Sequence, residues 1–299
     1  MKRKVINLVI MAALCISLFA CAGQPEPQNI GNFEFTPENF PRMGGSLAAL
    51  PLGQAVTAAV LGIDRAETSD FIIFDGSTTS NYLALVDGRF DILLAYEPSE
   101  EAIRYAAGNG FEWELIPIGR DALVFITNSA NPVTNLTHEQ IRDIYSGQIT
   151  NWNEAGGNYA PIIPYQRNRD SGSQTLFDMF IDLGDELMTP PSEQIIGSMI
   201  GLLEVVAEFD NSADALGYTV YYYLTNMELE KRANTNILAI NGVEAGNETI
   251  RSGAYPYVND FYVVIPAGLP EDAPARVLAN WIRSEQGREL MERENYVAL

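Results

Sequence analysis

The sequence predicts an α/β fold of mostly parallel sheets, because strand-like and helix-like runs alternate along most of the chain. Short apolar runs at residues 71–74 and 90–96 are typical of buried strands. The second run is followed by Ser99, a favoured N-cap residue that opens a helix predicted to reach residue 108. Alternation of this kind favours parallel strands whose two faces are covered by helices.

The other elements follow from local start and stop signals. A helix at 50–62 has Pro51 near its start and Gly62 at its end. The sequence Thr137-His138-Glu139-Gln140 has the spacing of a capping box and opens a helix that runs through Tyr145. Further helices are predicted at 273–283 and 285–293, and further strands at 115–118, 122–127, 162–165, 216–223, 237–240 and 261–265.

The N-terminal residues predict an exported protein. Basic residues 2–4 precede a short apolar run, so residues 1–20 are predicted to be a signal peptide. The junction Leu18-Phe19-Ala20-Cys21 resembles a bacterial lipobox, which implies cleavage before Cys21 and a lipid on its sulfur. The alternative is an ordinary signal peptide followed by a stray cysteine. Residues 21–32 are rich in Pro, Gln and Gly and are predicted to form a flexible tether.

Cysteine usage and charge restrict the partners. The other cysteine, Cys15, lies inside the signal, so the exported chain cannot form a disulfide and its stability must come from core burial. The net charge of −21 repels nucleic acid and anionic membrane surfaces. We therefore expect no nucleic-acid partner, and membrane contact through the lipid on Cys21 only. A small anion can still bind where short-range donors converge in a cleft.

The strongest candidate binding motif begins at Arg167 and continues into Ser171-Gly172-Ser173. Arginine presents a flat fork that fits two oxygens of a phosphate or carboxylate. The Ser-Gly-Ser turn is predicted to start a helix, whose free N–H groups and partial positive charge attract anions. The serine hydroxyls can donate to the same oxygens, and Gly172 leaves the backbone accessible. For an isolated Ser-Gly-Ser, a capped helix beside a surface arginine would be the preferred interpretation.

Three Gly/Ser loops lie where predicted strands enter helices, at 44–46, 76–78 and 171–173. In open α/β sheets, ligands bind beyond the carboxyl ends of the strands, so these loops are candidates for one shared site.

The sequence gives little support for catalysis, so the chain is not expected to be an enzyme, and no cofactor or metal is expected. His138 is the only histidine and is predicted to be a surface residue. One histidine cannot build a metal site or an ordinary Ser/His/Asp triad. A phosphatase would need a base for Ser171, for which the sequence offers only Asp170 or a distant lysine.

Several segments, in this order, resemble the phosphate-binding proteins of bacterial ABC importers, including their lipid-anchored relatives. The most specific stretch runs from Ile144-Tyr145-Ser146-Gly147 to Thr150-Asn151-Trp152. The resemblance covers about residues 40–299. Its other carriers are Gly76-Ser77-Thr78-Thr79, Asp121-Ala122-Leu123-Val124-Phe125-Ile126, Asn131-Pro132-Val133-Thr134-Asn135-Leu136-Thr137, Arg167 with Ser171-Gly172-Ser173-Gln174-Thr175, Leu216-Gly217-Tyr218 and Tyr221-Tyr222-Tyr223.

The resemblance implies a type II periplasmic-binding-protein fold, in which two α/β lobes joined by two crossover strands close around a ligand. The expected first lobe comprises 33–118 plus 267–299, and the second comprises 119–266. The expected crossings lie near 119–122 and 265–268. Hinge closure of this type is a known class of conformational change. The resemblance also implies a monomer, lipid-anchored to the outer face of the bacterial cytoplasmic membrane, that meets the permease subunits of an ABC importer.

The resemblance also implies a set of ligand-binding residues. The oxyanion-gripping arginine corresponds to Arg167, and the Ser-Gly-Thr donors correspond to Ser171, Gly172 and Ser173. The serine after the second strand corresponds to Ser77, with Thr78 as its neighbour. In the first loop, where the family usually has threonines, this chain has Leu47 and Ala49 and offers Ser46 with backbone N–H groups.

A second departure concerns the acid that distinguishes phosphate from sulfate. Near neutral pH phosphate carries a proton that a buried carboxylate can accept, whereas a carboxylate repels fully ionised sulfate. The family's acidic position corresponds to Tyr96, and Glu97 follows it as the candidate acceptor. Asp75 is a second candidate. Both acids could equally be ordinary loop or turn residues, and for Asp75 that interpretation is favoured.

Two functions follow. The first is a lipoprotein that captures inorganic phosphate, or a similar oxyanion, and delivers it to an ABC importer. The second, suggested by Leu47, Ala49 and Tyr96, is a non-transport surface lipoprotein that senses another ligand or serves as an interaction module. A cleft filled by side chains would favour the second function.

Overall fold

The structure is a computed structural model that describes residue 30 and residues 33–208 and 212–299. The predicted signal peptide 1–20, the lipidation at Cys21 and all of the tether 21–32 except Ile30 lie outside the described residues. In the part of the chain that is described, no helix is both long enough and apolar enough to span a membrane.

Strands and helices alternate along most of the described chain, as expected. The strands are β1 (Met43–Gly45), β2 (Ile72–Ile73), β3 (Ile92–Ala95), β4 (Trp113–Asn128), β5 (Asn135–Leu136), β6 (Ile163–Pro164), β7 (Gln166–Arg167), β8 (Ile195–Ile196), β9 (Ala215–Val220), β10 (Thr235–Ile237), β11 (Ala239–Ile240), β12 (Val258–Pro266) and β13 (Val297–Ala298). The helices are α1 (Leu50–Leu61), α2 (Thr78–Val86), α3 (Glu100–Gly108), α4 (His138–Tyr145), α5 (Gly172–Ile181), α6 (Met199–Ala207), α7 (Leu229–Arg232), α8 (Asn247–Arg251), α9 (Pro274–Ile282) and α10 (Glu285–Arg293).

Local capping signals place the predicted helices correctly. Gly62 ends α1 with a φ of 64°, a conformation that glycine adopts without strain. Thr137 caps α4 by accepting the backbone N–H of Gln140, whose side chain accepts the N–H of Thr137 in return. Ser99 caps α3 in the same position that the sequence predicts.

A mixed sheet forms the centre of the molecule. Across the described residues it has nine strands, in the order β2-β1-β3-β12-β4-β9-β6, with β10 and β13 also paired to β4. The pairs toward its two ends, β1 with β2 and β3 and β6 with β9, are parallel. The pairs that β4 and β12 make are antiparallel. Helices cover the sheet, as the α/β prediction requires.

The prediction of separate strands at 115–118 and 122–127 is wrong, because β4 runs unbroken through both. Its pairing changes along its length: residues 113–122 pair with β12, and residues 123–127 pair with β9. Gly119 lies inside this strand and allows close packing, since a Cβ there would lie 2.3 Å from the ring of Phe261. One continuous strand therefore joins two groups of strands.

The second crossing was expected near 265–268. The first expected crossing, 119–122, pairs with residues 258–261 of β12. Ile265, where the second expected crossing begins, pairs instead with Glu114 near the start of β4. The bounds of the two lobes stay a prediction.

The predicted strand 216–223 is too long. β9 ends at Val220, and helical turns begin at Tyr221. The reason is a long-range contact, because the backbone N–H of Tyr222 donates to the Asp121 carboxylate at 3.0 Å. A carboxylate stabilises the start of a helix, and this contact overrides the β propensity of three consecutive tyrosines. The ring of Tyr222 stacks on Tyr296 at 3.7 Å between centroids.

Candidate functional site

A cavity of about 330 Å³ lies where several helices begin. Four loops that enter helical segments contribute most of its wall: the loop before α1, the loop before α2, the loop before α5 and the loop before α6. Its described lining consists of Ser46, Leu47, Ala48, Gly76, Ser77, Thr78, Tyr96, Arg167, Asn168, Asp170, Ser171, Gly172, Ser173, Gly197, Ser198, Met199 and Val220.

Three serines at the cavity are helix N-caps. Ser77, Ser171 and Ser198 each accept the backbone N–H of the residue three positions later, at 3.0, 3.1 and 3.1 Å. Each hydroxyl uses a lone pair in this bond, so its own hydrogen can still be donated. The first backbone N–H groups of a helix have no partner within it. Three helix starts thus direct donors and partial positive charge at one volume.

Arg167 supplies a full positive charge at the same place. It is 6% exposed. Its Nε donates to the carbonyl oxygen of Ile196 at 2.9 Å, its Nη1 to Ser173 Oγ at 3.2 Å, and its Nη2 to the carbonyl oxygen of Gly197 at 3.4 Å. It forms no ion pair with any carboxylate of the described residues. Burial lowers the pKa of Arg167, which reflects the cost of removing its charge from water.

The backbone of Arg167 is fixed from behind by the core. Its N–H donates to Tyr218 Oη at 2.9 Å and to the Gln174 side chain at 3.2 Å. The Tyr218 hydroxyl donates to the same Gln174 oxygen. Tyr218 is fully buried and stacks on Phe177 at 4.7 Å between centroids. Strand β9 and helix α5 therefore hold the arginine in place before any ligand arrives.

Ser46 and Thr78 contact each other in the lining. Their hydroxyl oxygens lie 3.0 Å apart, and the backbone N–H of Tyr96 donates to Ser46 Oγ at 3.2 Å. Because Ser46 can accept from Tyr96 and donate to Thr78, the Thr78 hydrogen can be directed into the cavity.

Gly172 has a packing role that the sequence did not reveal. A Cβ at this position would lie 2.5 Å from Thr78 Oγ1. Close by, the N–H of Thr79 donates to the carbonyl oxygen of Asp170 at 3.3 Å. The absence of a side chain at Gly172 thus allows the starts of α2 and α5 to touch. Access of a ligand to the backbone is a second consequence of the same glycine.

Seven of the predicted ligand residues therefore lie together in this lining, namely Ser46, Ser77, Thr78, Arg167, Ser171, Gly172 and Ser173. Glu97 is not part of the described lining. Its carboxylate accepts the Tyr262 hydroxyl at 2.5 Å, and burial raises its pKa while this bond lowers it. The placement of Glu97 gives its predicted contact with a ligand no support.

Tyr96, which stands where an acid was expected, lines the cavity and is tied to a buried acid. Its hydroxyl donates to Asp121 at 2.7 Å. Asp121 is 3% exposed and also accepts the backbone N–H groups of Ala122 and Tyr222. Burial raises the pKa of Asp121 to about 6, and the three donated hydrogens oppose that rise.

The sequence analysis did not predict two parts of the lining. The first is Asn168 with Asp170, of which Asp170 was considered only as a base for Ser171. The second is 197–199, although Gly197-Ser198 follows strand β8 and precedes a helix, as the three predicted loops do. Pairing of β7 with β8 brings it beside Arg167.

Of the residues weighed for catalysis, Ser171 and Asp170 line the cavity, whereas His138 lies elsewhere. His138 Nδ1 is 2.8 Å from Tyr257 Oη, outside the described cavity lining. Within the described residues, no group of three or more His, Cys, Asp or Glu side chains is arranged to hold a metal ion.

Comparison with known proteins identifies the family. Residues 42–286 match a family described as the PBP superfamily domain. The chain belongs to the PBP superfamily. This membership confirms the predicted periplasmic-binding-protein fold class.

Individual members of the superfamily resemble the chain over most of its length. The phosphate-binding protein PstS of Borreliella burgdorferi is 23% identical over 302 residues that cover 99% of each chain. The phosphate-binding protein PstS of Bacillus subtilis is 24% identical over 263 residues, covering 85% of this chain and 81% of the relative. A putative phosphate ABC transporter substrate-binding protein with bound phosphate from Clostridium perfringens superposes with a TM-score of 0.67 at 22% identity, covering 86% of this chain and 98% of the other.

Proposed function

We propose that this PBP-superfamily protein is a non-catalytic solute-binding protein that captures inorganic phosphate in the cavity at Arg167 and delivers it to an ABC importer. The proposal extends to its location: an exported protein, held at the outer face of the cytoplasmic membrane by a lipid on Cys21 and acting as a monomer. Its relatives named phosphate-binding protein PstS, and the Clostridium perfringens structure with bound phosphate, support the choice of ligand.

The single observation that carries the proposal is the buried guanidinium of Arg167. A buried cation is costly unless an anion or several hydrogen bonds compensate its charge. Here its protein partners are neutral oxygens, and the surrounding groups are helix starts and hydroxyls that also favour negative charge. A compact anion with several oxygens satisfies all of these donors at once.

The shape and chemistry of the cavity favour a small oxyanion. The cavity is open and is not filled by side chains. A filled cleft was the arrangement expected for a non-transport interaction module. Ser77, Thr78, Ser171 and Ser173 supply hydroxyl donors to the lining, beside apolar side chains that include Val220 and Met199. Donors on several sides suit a tetrahedral ion better than a flat carboxylate.

Isothermal titration calorimetry with inorganic phosphate tests the proposal. We expect binding by the wild-type protein and a loss of about 2–5 kcal/mol of binding free energy in Arg167→Ala, since a desolvated charge-assisted pair then loses one partner. Arg169→Ala is the matched control, because Arg169 is exposed and lies two residues away. Absence of any binding heat with phosphate, or equal affinity in Arg167→Ala and Arg169→Ala, would end the proposal.

A further inference from the structure

Several donor residues of the cavity are joined by a continuous chain of contacts. At the start of α5, Arg167 Nη1 donates to Ser173 Oγ at 3.2 Å. At the same helix start, a Cβ on Gly172 would lie 2.5 Å from Thr78 Oγ1. The Thr78 oxygen in turn lies 3.0 Å from Ser46 Oγ. The groups that suit an anion therefore adjoin one another from Arg167 to Ser46.

A second group of lining residues contributes apolar surface: Leu47, Ala48, Tyr96, Met199 and Val220. The tyrosine belongs to this group because its hydrogens are already used. Its hydroxyl donates to Asp121 at 2.7 Å, and its backbone N–H donates to Ser46 Oγ at 3.2 Å. Leu47 and Met199 are only partly buried, although both pack against the core. The cavity thus combines a donor part with an apolar part.

A bare tetrahedral ion uses the donor part alone. Phosphate has four oxygens, and each oxygen that leaves water needs a hydrogen-bond donor in place of the water. An oxygen directed at the side chains of Leu47, Met199 or Val220 finds no donor on them. A carbon group directed at the same side chains is removed from water with a gain in free energy.

The size of the cavity agrees with this division. Its volume is about 330 Å³. Cavities of about 300–1,000 Å³ typically hold small organic ligands, whereas phosphate consists of one phosphorus atom and four oxygens. The cavity therefore has room for carbon atoms beside the anion.

We propose that the cavity also accepts tetrahedral phosphorus oxyanions that carry one small organic substituent, namely alkylphosphonates and phosphate monoesters. Three oxygens of such a ligand face Arg167, the hydroxyls and the helix starts, and the substituent contacts Leu47 and Met199. The inference rests on the anion site of the proposed function and extends its ligands beyond inorganic phosphate.

The experiment measures dissociation constants by isothermal titration calorimetry, at one pH and one ionic strength, on the full-length protein. The ligands are inorganic phosphate, the series methyl-, ethyl- and propylphosphonate, and the esters methyl and ethyl phosphate. The series isolates the contribution of each added carbon, because the charged group stays the same. Comparing an ester with a phosphonate of equal carbon number shows which linkage the cavity prefers, and tighter binding of either class supports the inference.

Four variants locate the bound ligand. Leu47→Ser and Met199→Ser remove apolar surface from two separate loops of the cavity. Leu229→Ser is the matched control, because Leu229 is 63% exposed and is not part of the described lining. Arg167→Ala tests whether the phosphonates occupy the proposed anion site. Circular dichroism verifies that each variant is folded.

We expect the wild-type affinity to rise about twofold to fourfold with each carbon added along the phosphonate series, as for a partly to fully buried methylene. Leu47→Ser or Met199→Ser should reduce this increment, and Leu229→Ser should keep it. A merely structural role of Leu47 or Met199 would change all affinities alike and leave the increment per carbon unchanged. Arg167→Ala should weaken the binding of every ligand.

The inference would be overturned if phosphate binds but no phosphonate or ester does, or if affinity does not rise along the series. It would equally be overturned if Leu47→Ser and Met199→Ser both keep the wild-type increment, if Leu229→Ser reduces it as much as they do, or if Arg167→Ala retains full phosphonate affinity. A protein that binds none of these ligands would overturn the proposed function, and the inference with it. Binding of phosphonates without binding of phosphate would overturn phosphate as the ligand and support the inference.

Discussion

Asp121 shows how one side chain connects separate parts of this fold. It lies in the middle of β4, where the partner strand changes from β12 to β9. Its carboxylate receives hydrogens from Tyr96, just after β3, and from Tyr222, just after β9. Both neighbourhoods contribute to the cavity wall, through Tyr96 and Val220. The charge state of this one buried acid therefore affects the region that joins the two groups of strands.

The raised pKa of Asp121 predicts how stability depends on pH. Burial raises that pKa from 3.8 to about 6, so the folded state keeps a proton that the unfolded chain releases at lower pH. Folding stability from this group consequently decreases as the pH rises from about 4 to about 6 and is constant above that range. We expect the wild-type protein to lose about 3 kcal/mol of unfolding free energy relative to Asp121→Asn between about pH 4 and pH 7.

Urea unfolding of both proteins at a series of pH values measures this difference. The exposed Asp272 provides the control, because Asp272→Asn removes a carboxylate that lies at the surface. A pH profile of Asp121→Asn that runs parallel to the wild-type profile would contradict the prediction.

At the scale of elements, the sequence predicts the features that residues close together in the chain determine. It does not predict the features that depend on contacts between distant residues. Helix α4 follows from its own capping box, and the arginine and serines before α5 follow from helix-start chemistry. The continuity of β4 does not follow from local signals, because β4 pairs first with β12 and then with β9, and both strands are far away in the sequence. The position of the loop before α5 likewise depends on a distant contact with α2, since the N–H of Thr79 donates to the carbonyl oxygen of Asp170.

The contact between the starts of α2 and α5 gives a direct test of Gly172. A methyl group at this position would lie 2.5 Å from Thr78 Oγ1, so Gly172→Ala must push the two helix starts apart. Overpacking of this degree typically costs about 1–3 kcal/mol. We expect phosphate affinity to fall by a similar free energy, since Thr78 and the first N–H groups of α5 would no longer face one anion.

Calorimetry and thermal unfolding of Gly172→Ala measure that effect. Gly108→Ala is the matched control: no atom lies within 4 Å of the added Cβ, and alanine favours the helix that Gly108 ends. Wild-type affinity in Gly172→Ala would show that the two helix starts need not touch for binding.

At the scale of the whole molecule, the cavity gathers residues that are far apart in the chain. Ser46 follows β1, Thr78 begins α2, Arg167 ends β7 and Ser198 precedes α6. Ser46 and Thr78 follow strands of the central sheet, whereas Arg167 and Ser198 belong to the separate pair β7 and β8 or the loop after it. An unfolded chain cannot hold the same donors around one ion, so a ligand of this cavity binds the folded state alone.

Exclusive binding to the folded state predicts a rise in melting temperature with phosphate. Stabilisation follows the ratio of free ligand to dissociation constant and reaches about 2.7 kcal/mol at a hundredfold excess over that constant. We expect the midpoint of thermal unfolding to rise with the logarithm of phosphate concentration, and Arg167→Ala to lose most of that rise. Potassium chloride at matched ionic strength controls for general salt effects on this highly acidic chain, whose net charge is −21. An equal rise with chloride, or an undiminished rise in Arg167→Ala, would show that the stabilisation does not come from an ion held at the guanidinium.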